Sequence, residues 1–128
     1  MVPDLGFDGS LTCALPVRDF DRSAAWYQAT LGFELLYKAE QIGWGDLRTP
    51  VERVTLGLSE SERVEVKGGP TLTFNVRDIA RARAALLERG VRFDGETLVI
   101  PELVKLATFY DPDGHKLMLS QSLAAGSQ

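Results

Sequence analysis

The chain carries one histidine and one cysteine in 128 residues. A lone cysteine excludes an internal disulfide and any multi-thiolate metal centre, so Cys13 reads as a packing residue. His115, the single imidazole, and Cys13 stand on unrelated elements, and the sequence gives no Ser-His-Asp or Cys-His arrangement around them. Long apolar runs are missing too. Nowhere do about eighteen apolar residues follow one another, and Met1-Val2-Pro3-Asp4-Leu5 lacks the basic cluster and apolar stretch of a signal peptide. That pattern predicts a cytoplasmic protein. Nor is there an excess of positive charge: 14 Lys and Arg against 18 Asp and Glu leave a formal charge of -4, which argues against nucleic acid as a partner. Arg77, Arg81, Arg83, Arg89 and Arg92 do cluster, but Asp78, Glu88 and Asp94 are interspersed among them, so they read as a solvated helix face.

What the sequence does have is a repeat. Val17-Arg18-Asp19-Phe20 returns as Val76-Arg77-Asp78-Ile79, and Thr12 stands as far ahead of Val17 as Thr71 stands ahead of Val76. Each motif opens a helix that runs to a glycine, in Leu31-Gly32-Phe33 and in Arg89-Gly90-Val91. A period of about sixty residues that occurs twice marks a duplicated module, not a solenoid.

Leu11 to Leu15 alternates as a strand, with Leu11, Cys13 and Leu15 on one side and Thr12 and Ala14 on the other. Asp19 then caps a helix whose apolar stripe is Phe20, Ala24, Tyr27 and Leu31. Strands are expected over Phe33 to Lys38, around Trp44 and over Arg53 to Leu58, followed by a charged loop from Ser59 to Lys67. Gly68-Gly69-Pro70 marks the junction. Beyond it come a strand over Thr71 to Val76, a helix capped by Asp78 with Ile79, Ala82, Leu86 and Leu87 on one side, and strands near Leu98 to Ile100, Leu103 to Tyr110 and Lys116 to Ser120. Asp111-Pro112-Asp113-Gly114 turns the last two into a hairpin. The fold class is α+β: two βαβββ modules, about 10–67 and 70–122, in one domain, with residues 123–128 as a frayed tail. Helices on the outer face of a mostly antiparallel or mixed sheet leave the other face free to cup a pocket.

These residues resemble the vicinal oxygen chelate superfamily, the group of glyoxalases, bleomycin-resistance proteins and extradiol dioxygenases. The match is carried by Leu15-Pro16-Val17-Arg18-Asp19, by Ser23-Ala24-Ala25-Trp26-Tyr27 with Leu31-Gly32-Phe33, by Val76-Arg77-Asp78-Ile79 and by Phe109 to His115. The resemblance implies paired βαβββ modules, a homodimer, and in the metal-dependent members one His, Glu or Gln ligand on each of four strands. Carried over, those positions fall on Thr12, on Leu56 or a close neighbour, on Thr71 and on Met118. None is a good ligand for a divalent cation, so no metal and no other cofactor is expected.

The candidate ligand-binding residues are Thr12, Ala14, Trp44, Leu56, Thr71, Thr73, Phe109 and Met118, which describe a mostly apolar pocket with a few hydroxyls for a neutral or aromatic organic molecule. Trp44 enters because Gly43 and Gly45 on either side leave room for a flat ligand. Trp26 and Tyr27 read as core. His115 reads as the exposed end of a hairpin, and Asp46, Glu52 and Glu102 as solvated carboxylates. A metal-free binding protein of the bleomycin-resistance type is the leading reading. A metal-free lyase, isomerase or hydrolase and, remotely, a metal-dependent glyoxalase or dioxygenase are the alternatives.

Overall fold

The repeated motif builds the same local structure twice. The computed structural model describes residues 3–124, and the chain divides between Glu65 and Val66 into two compact units. Of the tail expected to fray, residues 125–128 lie outside the described residues, as do Met1 and Val2 of the opening segment.

The first unit runs β1 (Leu11–Val17), α1 (Phe20–Leu31), β2 (Glu34–Ala39), a short 3-10 turn (Glu40–Ile42), β3 (Trp44–Arg48) and β4 (Val54–Glu60). Its four-stranded sheet has the order β1-β4-β3-β2, with β1 parallel to β4 and the other pairs antiparallel. In the second unit, β5 (Leu72–Asn75), α2 (Ile79–Glu88), β6 (Leu98–Ile100), β7 (Val104–Tyr110) and β8 (Lys116–Ser122) repeat the plan. Here the order is β5-β8-β7-β6, again with the first strand parallel to the last. Two mixed sheets, each with one helix, are the α+β architecture that the alternation predicts, and neither sheet closes into a barrel.

Each helix begins in the same way. The Asp19 carboxylate accepts from the Arg22 amide and the Asp78 carboxylate from the Arg81 amide, both at 3.1 Å, and a cap of this kind contributes about 1 kcal/mol. A second tie was not legible in sequence. The amide of Phe20, first in α1, donates to Glu60 Oε2 at 2.9 Å, and the amide of Ile79, first in α2, donates to Gln121 Oε1 at 2.8 Å. The last strand of each unit therefore satisfies an orphan donor of its own helix. Glu60 ends β4 because its amide also donates to the Gly43 carbonyl at 2.7 Å, so the loop expected from Ser59 starts two residues later. At the other end of α1, Gly32 adopts φ 75°, the left-handed cap that the Leu-Gly-Phe motif predicts.

The first unit's core gathers Val17, Phe20, Ala24, Tyr27, Phe33, Leu47, Leu56 and Leu58, with the Tyr27 and Phe33 rings stacked at 5.7 Å. Ile79, Leu86, Val91, Ala107, Phe109, Leu117 and Leu119 form the second. Three expectations need correction. Leu87 is 51% exposed, because α2 turns only Ile79 and Leu86 fully inward. His115 is buried, since Asp111 Oδ1 accepts from both the Asp113 and His115 amides and folds the turn back on itself. Of the arginines read as a solvated face, Arg77, Arg81, Arg89 and Arg92 are exposed, Arg92 while lying 4.4 Å over Tyr110, but Arg83 is half-buried, 4.3 Å over the Phe93 ring and donating to the Gly95 carbonyl at 2.7 Å.

Candidate functional site

Strand alternation sorts every residue of the first sheet onto one of two faces. Cys13, Leu15 and Val17 pair with Leu56, Leu58 and Glu60, and Leu47 and Gly45 pair with Leu56 and Leu58, so this set shares the face on which α1 packs. The uncovered face carries the alternate residues. One row across it reads Ala14, Gly57, Asp46, Tyr37, and the row beside it reads Thr12, Thr55, Arg48, Glu34.

Trp44 opens β3 at one end of that face. A Cβ placed on Gly57 would lie 2.1 Å from Trp44 Cη2 and 2.4 Å from Cζ2, so the indole fills the space that the missing side chain leaves. Its Nε1–H donates to the Tyr37 hydroxyl at 3.0 Å. The ring thus spans from Gly57 to Tyr37, the two residues that flank Asp46 in register. Gly45, expected to give a ligand access to Trp44, instead serves the opposite face. A Cβ there would meet Phe20 Cζ at 2.2 Å, so the glycine admits the core ring. Gly43 is the left-handed end of the 3-10 turn, at φ 61°.

Asp46 is the unusual group of this face. Its Oδ1 is buried with no hydrogen-bond partner. The nearby cations are engaged elsewhere. Arg48, two residues along β3 on the same face, pairs with Glu34 at 3.1 Å. Lys38 faces the helix side, 5.0 Å over the Phe20 ring, and is bound by Asp21 at 3.1 Å and Glu40 at 3.3 Å. The Asp21 hydrogen bond leads in holding the Lys38 ammonium above its ordinary value.

Thr12 and Ala14 lie on the uncovered face, as expected, and the Thr12 hydroxyl shares a 3.0 Å hydrogen bond with Thr55. Leu56 does not join them. It is fully buried on the helix side, and its neighbour Thr55 is the residue that faces Thr12. In the second unit Thr73 and Met118 face each other in register on the face away from α2. Thr71 precedes β5, exposed, and its carbonyl accepts from the Thr73 hydroxyl at 3.4 Å. Phe109 is corrected on the same grounds as Leu56. It is fully buried, paired with Leu117 and 5.5 Å from the Phe93 ring, on the helix side of its sheet. Tyr37, Thr55 and Gly57 were missed by sequence reasoning. Alternation along β4 held the signal, since Val54, Leu56 and Leu58 form the apolar set and leave Thr55 and Gly57 to the other face.

The positions where the resemblance implies metal ligands do not fit a divalent cation. In the first unit they are two neutral hydroxyls bonded to each other. The second supplies a threonine and a thioether, and such donors do not offset the desolvation of a 2+ ion. Among the described residues, no three His, Cys, Asp or Glu side chains come together to hold a metal.

The profile of the Glyoxalase/Bleomycin resistance protein/Dioxygenase superfamily matches residues 9–119. A search of curated proteins finds no match. Among solved structures, the chain is similar to a member of that superfamily from Sphaerobacter thermophilus DSM 20745, at 25% identity and TM-score 0.77, covering 92% of this chain and 100% of that one. It is similar to TnmS3, an antibiotic binding protein from Streptomyces sp. CB03234, at 25% identity and TM-score 0.77, covering 93% of this chain and 99% of that one. A glyoxalase/bleomycin resistance protein from the same Streptomyces shares 27% identity at TM-score 0.70, over 88% of this chain and 100% of that one. The profile, the duplicated motif and the paired βαβββ units agree, and the chain belongs to the glyoxalase/bleomycin resistance protein/dioxygenase superfamily.

Proposed function

We propose that this protein binds a flat apolar or aromatic organic molecule on the uncovered face of the first sheet, without a metal ion and without chemical turnover. The observation that carries the reading is the Trp44 indole seated over Gly57 and tied to the Tyr37 hydroxyl, a large amphipathic ring held at low entropic cost on a rigid strand. Ala14 pairs with Gly57 beneath it and the Thr12 and Thr55 hydroxyls stand in the next row of the same face, and such a mix of apolar surface and hydroxyls suits an organic ligand better than an ion. The likeness to an antibiotic binding protein at 25% identity points to natural products of that kind as the first compounds to try.

With EDTA present throughout, tryptophan emission is expected to change saturably with at least one planar aromatic antibiotic. Trp44→Ala is expected to weaken that binding by about thirtyfold, the scale of a lost tryptophan anchor. Full affinity in the variant, or a strict need for added metal, overturns the reading.

A cytoplasmic homodimer belongs to the same proposal. No helix among the described residues is long and apolar enough to cross a membrane. Support for self-association comes from the edge strand β6, where Leu98 is 57%, Val99 50% and Ile100 38% exposed beside an exposed Leu103, an apolar edge of the kind that proteins cover. Sedimentation equilibrium is expected to give twice the 14.1 kDa chain mass. Replacing Val99 with lysine is expected to shift it toward the monomer.

A further inference from the structure

We infer that Asp46 is the polar anchor of this site and that it selects ligands in which a protonated amine sits beside a flat ring system. The inference rests on the aromatic-ligand reading above and adds to it the charge of the ligand. Its basis is a buried carboxyl oxygen with nothing to bind. Oδ1 of Asp46 has neither water access nor a hydrogen-bond partner, although a strand carboxylate could have been left at an exposed position or paired with a basic neighbour. The chain has two basic residues close by in register and commits both elsewhere. Arg48 on the same face is bound to Glu34, and Lys38 on the far face is bound to Asp21 and Glu40. Buried polar groups that the fold leaves unmatched are the ones a ligand can match, and a cationic donor matches a carboxylate most strongly.

The placement of Asp46 fixes what else that ligand must be. Gly57 and Tyr37 flank Asp46 across the sheet, and the Trp44 ring spans between them, so the amine approaches the carboxylate alongside an indole. A cation beside a tryptophan face gains a further electrostatic attraction, and an attached aromatic body stacks on the same ring. Entry needs the indole to tilt. Its nitrogen is held by a hydroxyl on Tyr37, a side chain 50% exposed, so the tether is one that can swing. Tilting uncovers the carboxylate, whose terminal torsion has a broad, roughly two-fold profile and can present either oxygen.

Isothermal titration of the full-length protein with two near-isosteric probes, 1-naphthylmethylamine and 1-naphthylmethanol, at neutral pH tests this. The amine is expected to bind at least about tenfold more tightly than the alcohol, the margin of a charge-assisted over a neutral hydrogen bond. In Asp46→Asn the two are expected to bind alike, with affinity for the alcohol retained. Asp46→Ser provides a second, smaller replacement in case the amide disturbs the strand. An amine preference that survives both substitutions overturns the role of Asp46 and leaves the aromatic-ligand reading standing. Failure of both probes to bind the unaltered protein overturns that reading, and this inference with it.

Discussion

Gly45→Ala is expected to destabilise the protein by about 3 kcal/mol and to lower its melting temperature by roughly 10 °C, although the change adds a single methyl group. The methyl has nowhere to go. It would lie 2.2 Å from Phe20 Cζ, 2.6 Å from Cε2 and 2.8 Å from the carbonyl oxygen of Tyr37. Phe20 is 1% exposed, the first residue of α1 and fixed from behind by the bond from its amide to Glu60. The carbonyl belongs to β2, which pairs with β3 through this very segment, so moving it opens the ladder. Neither neighbour can yield cheaply in an interior packed to crystal density. Gly69→Ala is the control, because nothing lies within 4 Å of a Cβ there. Scanning calorimetry of the two variants settles the point: a melting temperature for Gly45→Ala equal to that of the control means that Phe20 does not fill the space over Gly45.

What could be read from the sequence was whatever depends on near neighbours in the chain. Asp19 and Asp78 cap the helices they were expected to cap, and Gly32 ends α1, because the capping bond spans three residues and a left-handed end needs only the right residue type. Val-Arg-Asp recurring at one offset revealed the duplication, and the duplication gave the strand and helix order of both units. Contacts across strands were out of reach. Gly45 was taken as room for a ligand beside Trp44, but a glycine in a strand says only that something approaches closely, not from which side. Phe20 arrives from the helix, and Trp44 reaches for a different glycine, Gly57, on the neighbouring strand.

Leu56 and Phe109 show the opposite failure, since their parity was legible. Leu56 alternates with Val54 and Leu58, and Phe109 with Ala107, so both belong to the apolar set that must face a helix. Placing Leu56 among the ligand contacts followed a family position one residue out of register, and a slip of one residue in a strand exchanges the faces. His115 and Asp46 were read as solvated for a different reason. Turn residues and strand-end carboxylates are exposed more often than not. Here Asp111 draws two amides of its own turn inward, and the sheet leaves an oxygen of Asp46 buried without a partner.

Gly57→Ala is expected to weaken binding of aromatic ligands by about thirtyfold, as much as removing the indole itself, and to leave the fold intact with a melting temperature within a few degrees of the original. On distance alone the two glycines are alike, for the new methyl at Gly57 meets Trp44 Cη2 at 2.1 Å, as close as the one at Gly45 meets Phe20. The consequences separate because of what each ring rests against. Phe20 is locked in the core, whereas Trp44 is half-buried on an uncovered face and held by one bond to an exposed tyrosine, so it can move aside at little cost. Moving aside removes the platform, and the methyl then occupies the floor on which the indole or a ligand ring would lie. Tryptophan emission is expected to shift to longer wavelength as the indole gains water, a readout that does not depend on any ligand. A variant that binds normally with unchanged emission would show that the indole does not occupy the space above Gly57, and with it the functional reading of this face would fall. A variant that unfolds would instead place Gly57 with Gly45 among the packing residues. Emission, melting and titration on one sample therefore separate a glycine kept for packing from a glycine kept for binding.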